Sequence, residues 1–78
     1  MTNANLIKAD LREVNLEETD LEGADLEWAN LIKADLRGAN LRRANLEGAD
    51  LTEAILRAKL NGAKLNGACL TGALLEHI

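Results

Sequence analysis

The sequence predicts an all-β solenoid, a chain that coils around a stack of its own leucines. Three observations support this prediction. Leucine recurs every fifth residue from Leu6 to Leu56, and again from Leu60 to Leu75. A small residue precedes each leucine by two positions, and it is alanine in thirteen of the fifteen repeats. None of the 13 acidic and 9 basic residues occupies either position, so both can be buried without an unpaired charge.

A period of five residues fits neither a straight helix nor a straight strand. A helix advances about 100° per residue, so leucines at this spacing would spread around all its sides. A strand alternates its faces, so successive leucines would point to opposite sides. The leucines share one interior only if the chain turns a corner once in each repeat. We call the leucine position i and number the rest of the repeat from it.

The corner of each repeat is predicted to lie between the leucine and the next alanine. All six glycines occupy position i+2, the third residue of a β-turn that begins at the leucine. A type II turn has positive φ at its third residue and favours glycine there. We therefore expect type II turns at the glycine corners, and type I turns where i+2 is Glu13, Glu18, Trp28 or Arg43.

The residues at position i−1 indicate the length of one coil. Stacked strands lie about 4.8 Å apart, so like charges one coil apart would repel each other. Every Asn or Asp pair twenty residues apart is mixed, from Asn5–Asp25 to Asn30–Asp50. Spacings of fifteen or twenty-five residues would stack Asp10 on another aspartate. The pattern indicates four repeats per coil and a square cross-section.

Charges at the other outward positions favour the same spacing. Opposite charges stand twenty residues apart in Glu13–Lys33, Lys33–Glu53, Glu17–Arg37 and Glu22–Arg42, and like charges do so in Glu27–Glu47 and Arg37–Arg57.

The step from Leu56 to Leu60 is one residue short. We expect a tightened corner there, without its i+2 residue.

The repeat reads A-[N/D]-L-x-x and resembles the pentapeptide-repeat family from Ala4 to about Leu75. The resemblance implies a right-handed quadrilateral β-helix, here of about four coils with four repeats each, and the handedness comes from the family alone. Residues 1–78 are expected to form one domain. The chain departs from the motif where other residues replace Asn or Asp at i−1, namely Ile55, Lys59, Lys64, Cys69 and Leu74.

Composition argues against most chemical functions. A net charge of −4 without a basic run gives no reason to expect nucleic-acid binding. One histidine, His77, and one cysteine, Cys69, leave little from which to build a metal site or a catalytic triad. We predict no enzymatic activity, no cofactor and no metal. The single cysteine allows no internal disulfide and favours a cytoplasmic location, and no apolar run is long enough to span a membrane.

Outward-facing apolar residues are the candidates for function. Trp28 is the one aromatic residue and lies at a corner, with Ile7 about one coil before it and Ile32 one corner further along. These residues form either a local packing patch, with the stem of Lys8 on the indole, or a small docking site for another protein.

A second apolar group lies near the C-terminal coil and comprises Ile55, Leu74, Leu75 and Ile78. Exposed strand edges recruit other strands, so we expect self-association there, most simply as a two-fold homodimer. A head-to-tail stack is the alternative, because residues 1–40 carry a net charge of −5 and residues 41–78 of +1.

We predict a non-enzymatic structural or protein-interaction solenoid whose protein partner is unknown. The family resemblance adds an alternative, since some members mimic duplex DNA in size and charge and bind DNA gyrase, protecting it from quinolones. That role requires a longer rod with a sustained negative surface. This chain has mixed charge and contains no Phe or Tyr.

Overall fold

The computed structural model describes residues 1–75, which form a β-helix solenoid that returns to the same side every twenty residues. Parallel bridges join position i−1 of one coil to position i−1 of the next, and all six mixed Asn/Asp pairs expected from the sequence are among them. Beyond the shortened step the spacing falls to nineteen residues, as in Asn40–Lys59 and Asp50–Cys69.

Extended structure is brief on each side of the coil, because a turn occupies the rest of each repeat. Two segments in the described range are long enough to be strands: β1, Ile55–Leu56, and β2, Leu74–Leu75. They pair in parallel, with Ile55 opposite Leu74 and Leu56 opposite Leu75. No helix in residues 1–75 is long and apolar enough to cross a membrane.

Leucine at position i and alanine at position i−2 fill the interior, as the sequence predicts. From Leu21 to Leu56 these side chains are 0–1% exposed, and no polar or charged residue of the described chain is buried with them. Toward the ends, Leu6 and Leu70 are only partly buried, because a neighbouring coil covers them on one side alone.

The ladder between coils uses the backbone N–H groups at positions i−1, i and i+2. The first donates to the preceding coil and the other two donate to the following coil, as in Leu26 to Asn45 at 2.7 Å and Trp28 to Glu47 at 2.9 Å. The N–H at position i−2 closes the turn on the preceding leucine. One N–H per repeat, at position i+1, is left over.

The Asn or Asp at position i−1 accepts this remaining N–H. Its side-chain oxygen Oδ1 lies 2.9–3.3 Å from the i+1 nitrogen in all ten repeats from Asn5 to Asp50. From Asp25 to Ala54, where a coil lies before and after each repeat, every backbone N–H therefore has an acceptor, as coiled backbone requires because unpaired buried groups are costly. The i−1 residue is thus part of the scaffold, a role that sequence reasoning missed.

The corners do not divide into two turn types. Position i+2 has φ of 68–75° at the six glycines and of 58–60° at Glu13, Glu18, Trp28 and Arg43. The expectation of type I turns at these four residues is wrong. No i+1 residue of the described chain has positive φ, so the φ pattern is that of type II turns at every corner except the shortened one between Leu56 and Leu60. The repeated hydrogen-bond ladder imposes one corner geometry, and non-glycine residues bear its cost of about 1–2 kcal/mol.

The shortened corner between Leu56 and Leu60 has a different geometry from the others. Within this described segment no residue has positive φ and no backbone hydrogen bond closes a turn. The chain bends at Ala58, and the Lys59 N–H rejoins the ladder by donating to the Ala39 carbonyl at 3.0 Å. The residue missing from this repeat is therefore i+2.

The first three residues belong to the solenoid, although the motif begins at Ala4. The Ala4 N–H closes a turn on the Met1 carbonyl at 3.1 Å, and Asn3 has φ of 59°. The Asn3 N–H donates to the Glu22 carbonyl at 2.8 Å, so this turn is in register with the corner one coil later.

Candidate interaction surfaces

Two arginine side chains pair with the aspartates two residues before them. Arg12 contacts Asp10 at 2.9 Å, and Arg37 contacts Asp35 at 2.6 Å. Hydrogen bonds from each guanidinium hold the pKa of the aspartate below its ordinary value. These pairs are largely solvent-exposed, so they act mainly on the local charge pattern.

Two ion pairs of the described chain join side chains of adjacent coils. Arg37 lies 3.9 Å from Glu17, as the twenty-residue spacing suggested. Glu22, however, pairs with Arg43 and not with Arg42, because the i+2 side chain reaches back across the corner to it. Lys33 has no ion pair with Glu13 or Glu53 within the described residues, although the twenty-residue spacing places them in one column.

Residues 1–75 contain no group of three His, Cys, Asp or Glu side chains placed to hold a metal ion. An open depression of about 370 Å³ is lined by Asp10, Arg12 and Glu13, which are all exposed to solvent. His77 lies outside the described residues. This surface offers no enclosed site for chemistry.

Cys69 is an exposed, free thiol that takes the place of Asn or Asp at i−1. Its Sγ lies 3.4 Å from the hydroxyls of Thr52 and Thr71. Hydrogen bonds from these hydroxyls and from the Thr71 N–H lower the pKa of the thiol. The Cys69 sulfur thus accepts hydrogen bonds at this corner, much as the aspartate carboxylates at i−1 do at other corners.

Trp28 is the most exposed apolar side chain of the described chain, at 64%. Its indole lies against Gly48, the i+2 residue of the following coil. A Cβ added to Gly48 would stand 2.5 Å from Cε3 and 2.6 Å from Cζ3 of the ring. One face of the six-membered ring therefore rests on bare backbone, and most of the side chain remains open to solvent.

The same contact between an i+2 side chain and a glycine of the following coil recurs at other corners. Asn3 lies against Gly23, Glu18 against Gly38, Arg43 against Gly62 and Glu53 against Gly72. In each pair, the i+2 side chain leans toward the following coil, where glycine leaves space for it. A comparison of i+2 residues one coil apart in the sequence could have indicated which residues face each other, but only the structure shows that each side chain leans onto the glycine.

The expected patch of Ile7, Trp28 and Ile32 is divided between two corners. Ile7 is 42% exposed and precedes Lys8, whose N–H donates to the Glu27 carbonyl, so Ile7 shares the corner of Trp28. Ile32 is partly buried and lies at the next corner, beside Glu13. The candidate surface is therefore centred on Trp28.

The C-terminal apolar group is assembled by the pairing of β1 with β2. Ile55 is partly buried beneath Leu74, whereas Leu74 is 52% and Leu75 46% exposed. Ile78, the fourth member of the group, lies outside the described residues. Two exposed leucines thus follow one another in β2, Leu74 at the outward position i−1 and Leu75 at position i of the last coil described.

These features define a class of protein, namely a repeat solenoid built from five-residue units with an interior of leucine and alanine. The family model described as pentapeptide repeats matches residues 1–38, 19–57 and 56–76, in eight copies. The chain belongs to the pentapeptide-repeat family.

Solved structures of pentapeptide repeat proteins resemble this fold. Rfr23 from the cyanobacterium Cyanothece 51142 has 41% identity and a TM-score of 0.66, over 97% of this chain and 46% of that one. HetL from the cyanobacterium Nostoc sp. strain PCC 7120, involved in heterocyst differentiation regulation, has 34% identity and a TM-score of 0.60, over 95% and 46%. The chain thus spans less than half the length of either protein. No match was found among curated proteins.

Proposed function

We propose that the chain is a right-handed quadrilateral β-helix of about four coils that acts as a non-enzymatic docking module for a protein partner. Each coil of twenty residues contains four five-residue repeats with one corner each, which supports a four-sided section. Parallel crossover connections are right-handed in nearly all proteins, which supports the handedness.

The observation that carries the docking proposal is the exposure of Trp28. An indole that is 64% exposed keeps most of its apolar surface in water, although its ring is already positioned against Gly48. Exposed tryptophans are frequent anchors of interfaces, where truncation typically costs about 2 kcal/mol or more. The packed core beneath Trp28 reduces the entropy lost when a partner binds.

The regulatory role of HetL supports the same type of function. HetL is involved in heterocyst differentiation regulation and has 34% identity with this chain. A regulator without a site for chemistry acts by binding, and a solenoid presents fixed columns of side chains for that purpose.

Affinity capture on immobilised protein tests the docking proposal. Wild type and Lys33→Ala, a control at another exposed i+2 position, should retain the same partner, and Trp28→Ala should lose it. Circular dichroism should show that both variants keep the fold, since alanine replaces a residue with similar positive φ in each case. Equal retention by Trp28→Ala would contradict the proposal.

Binding to DNA gyrase as a mimic of duplex DNA is the alternative function. It calls for an unbroken negative surface, whereas Arg37 and Arg43 stand among the acids of adjacent coils. We therefore propose docking of a protein partner over DNA mimicry. Inhibition of gyrase supercoiling at stoichiometric concentrations of this chain would reverse that preference.

We also propose that this 78-residue chain forms a homodimer through its C-terminal coil. The neighbouring exposed leucines, Leu74 and Leu75, support this proposal because a second copy would cover them. Leu74→Glu should yield a monomer in light scattering coupled to size exclusion, since position i−1 normally holds a polar residue. Asn66→Glu, with the same added charge on the same coil, should remain dimeric. A monomeric wild type would contradict the proposal.

A further inference from the structure

We propose that the Trp28 corner binds an arginine side chain of the partner protein, with the guanidinium on the indole between the carboxylates of Glu27 and Glu47. This inference rests on the proposed docking function and names the chemistry that the corner recognises. It is carried by the exposed ring, by two glutamates on adjacent coils that form no ion pair within residues 1–75, and by a recess beside the ring.

The two glutamates stand at position i+1 of adjacent coils, next to the tryptophan. Glu27 precedes Trp28 in the chain, and the Trp28 N–H donates to the Glu47 carbonyl at 2.9 Å. Neither carboxylate has an ion pair within residues 1–75, where the pairs formed involve other acids. Like charges on adjacent strands repel each other, so a cation placed between them is favoured.

The recess beside the ring lies at Gly67, beyond the Gly48 that the ring covers. Gly48 and Gly67 follow Trp28 in the same corner column, and the Gly48 N–H donates to the Asn66 carbonyl at 3.0 Å. A Cβ added to Gly67 would meet only the backbone nitrogen of Gly48, at 3.9 Å. No side-chain atom of the described chain lies within 4 Å of that position, so space is left at Gly67, one coil beyond the glycine on which the ring rests.

Arginine fits this corner better than lysine does. A planar guanidinium can stack on an indole and still donate hydrogen bonds from its edges to carboxylates on either side. An ammonium group is a compact charge that is more strongly hydrated, and it gains less from the flat ring. The corner thus selects for shape as well as for charge.

Lys8 is the cation that opposes this binding. It occupies position i+2 one coil before Trp28, and its N–H donates to the Glu27 carbonyl at 2.8 Å. Its charge partly offsets the two glutamates. Replacing Lys8 with glutamine should therefore tighten the binding of an arginine side chain.

Trp28 fluorescence provides a direct test, because the chain contains no other aromatic residue. The probe is a peptide of alternating Gly and Arg at physiological ionic strength, compared with the same peptide carrying neutral citrulline in place of arginine. The arginine peptide should give a saturable change in emission, and the citrulline peptide should bind at least tenfold more weakly. Equal affinities would overturn the proposal.

Matched variants distinguish specific binding of the arginine peptide at the Trp28 corner from general electrostatic attraction to an acidic protein. The double variant Glu27→Gln, Glu47→Gln should weaken binding of the arginine peptide at least fivefold, and Lys8→Gln should strengthen it. The double variant Glu13→Gln, Glu53→Gln removes the same charge at another corner and should change the affinity less than twofold. Equal losses in the two double variants would show unspecific attraction and would overturn the proposal.

The capture experiment distinguishes this proposal from the docking proposal on which it rests. If Trp28→Ala loses a captured protein while the arginine peptide fails to bind wild type, the arginine assignment is wrong and docking at Trp28 stands. If capture does not depend on Trp28 and the peptide fails as well, both proposals are wrong.

Discussion

At the scale of single residues, position i+2 must satisfy two independent conditions. The corner requires positive φ there, whatever the residue type. The i+2 side chain of the preceding coil leans onto the same position. A bulky residue such as Trp28 therefore requires a residue without a side chain at i+2 of the following coil. Glycine meets both conditions at Gly48, but only the first applies at Gly67, which lies beneath another glycine.

Alanine substitutions at these two glycines should separate the conditions. Both variants incur the backbone cost of about 1 kcal/mol for a side chain at positive φ. Gly48→Ala must also displace the Trp28 ring, and overpacking of this kind adds about 1–3 kcal/mol. Urea denaturation followed by circular dichroism should therefore rank Gly48→Ala as the less stable variant. Equal losses of stability would mean that the ring does not rest on Gly48.

Asp35 combines a structural hydrogen bond with a titrating charge. Its pKa is below the ordinary value of 3.8 because Arg37 donates to it through the guanidinium and the backbone N–H. A carboxyl with a depressed folded-state pKa stabilises the fold above its unfolded pKa, and this contribution is lost as the pH falls through the folded pKa.

Two substitutions at Asp35 should therefore act differently. Asp35→Asn keeps an oxygen for the Arg37 N–H but removes the titration, so the melting temperature should fall less between neutral pH and pH values below 3.8 than in wild type. Asp35→Ala also removes the acceptor and should lower the melting temperature at neutral pH. An acid profile of Asp35→Asn identical to that of wild type would contradict this explanation.

At the scale of structural elements, the unit is one side of a coil with its corner. From Asn5 to Asp50 each side contributes one bridge, one turn hydrogen bond and one side-chain acceptor, so the elements stay in register without long strands. The corner at Ala58 lacks the turn hydrogen bond, yet Lys59 still pairs with the coil before it. Register therefore depends on the ladder, and one corner can change without the loss of its neighbours.

Restoring the missing residue should accordingly be tolerated. A glycine inserted after Arg57 would occupy position i+2, supply positive φ and allow the Ala58 N–H to close a turn on Leu56. We expect the circular dichroism spectrum to be retained and the melting temperature to stay within a few degrees, because about 1 kcal/mol shifts it by 4–8 °C at this chain length. Unfolding on insertion would show that the tight corner is required.

At the scale of the whole molecule, burial increases from both ends toward the middle. Leucines of the central coils are fully buried, whereas Leu6 and Leu75 have a neighbouring coil on one side only. Repeat proteins gain stability from each contact between neighbouring coils. The central coils therefore contribute most to stability.

Lysine substitutions at a central and a terminal leucine should reveal this gradient. Leu36 is 1% exposed, and a lysine there would place an unpaired charge in the core at a cost of several kcal/mol. Domains of this type have only about 5–15 kcal/mol of stability, so Leu36→Lys should unfold the protein. Leu6→Lys should remain folded with a lower melting temperature, because that side chain can reach water. Both outcomes can be read by circular dichroism.

The sequence alone was sufficient for the interior and the register of the solenoid. A period of five with charges excluded from two positions specifies which side chains are inside, and Leu21 to Leu56 follow that pattern. Mixed Asn and Asp pairs specified the twenty-residue spacing, as the bridge from Asn5 to Asp25 illustrates. Both features repeat along the chain, so a single sequence contains many independent copies of the same signal.

Only the tertiary structure decided the turn type, the role of the i−1 side chain and the contact of the Trp28 ring with Gly48. Glu13 adopts positive φ against its own preference because the inter-coil ladder imposes one corner geometry. Asp25 accepts the Glu27 N–H because the coiled backbone leaves that one donor unpaired. Trp28 rests on Gly48, twenty residues away, because stacking brings them into contact. Each feature depends on groups that become neighbours only when the chain has coiled, so residue preferences alone do not reveal it.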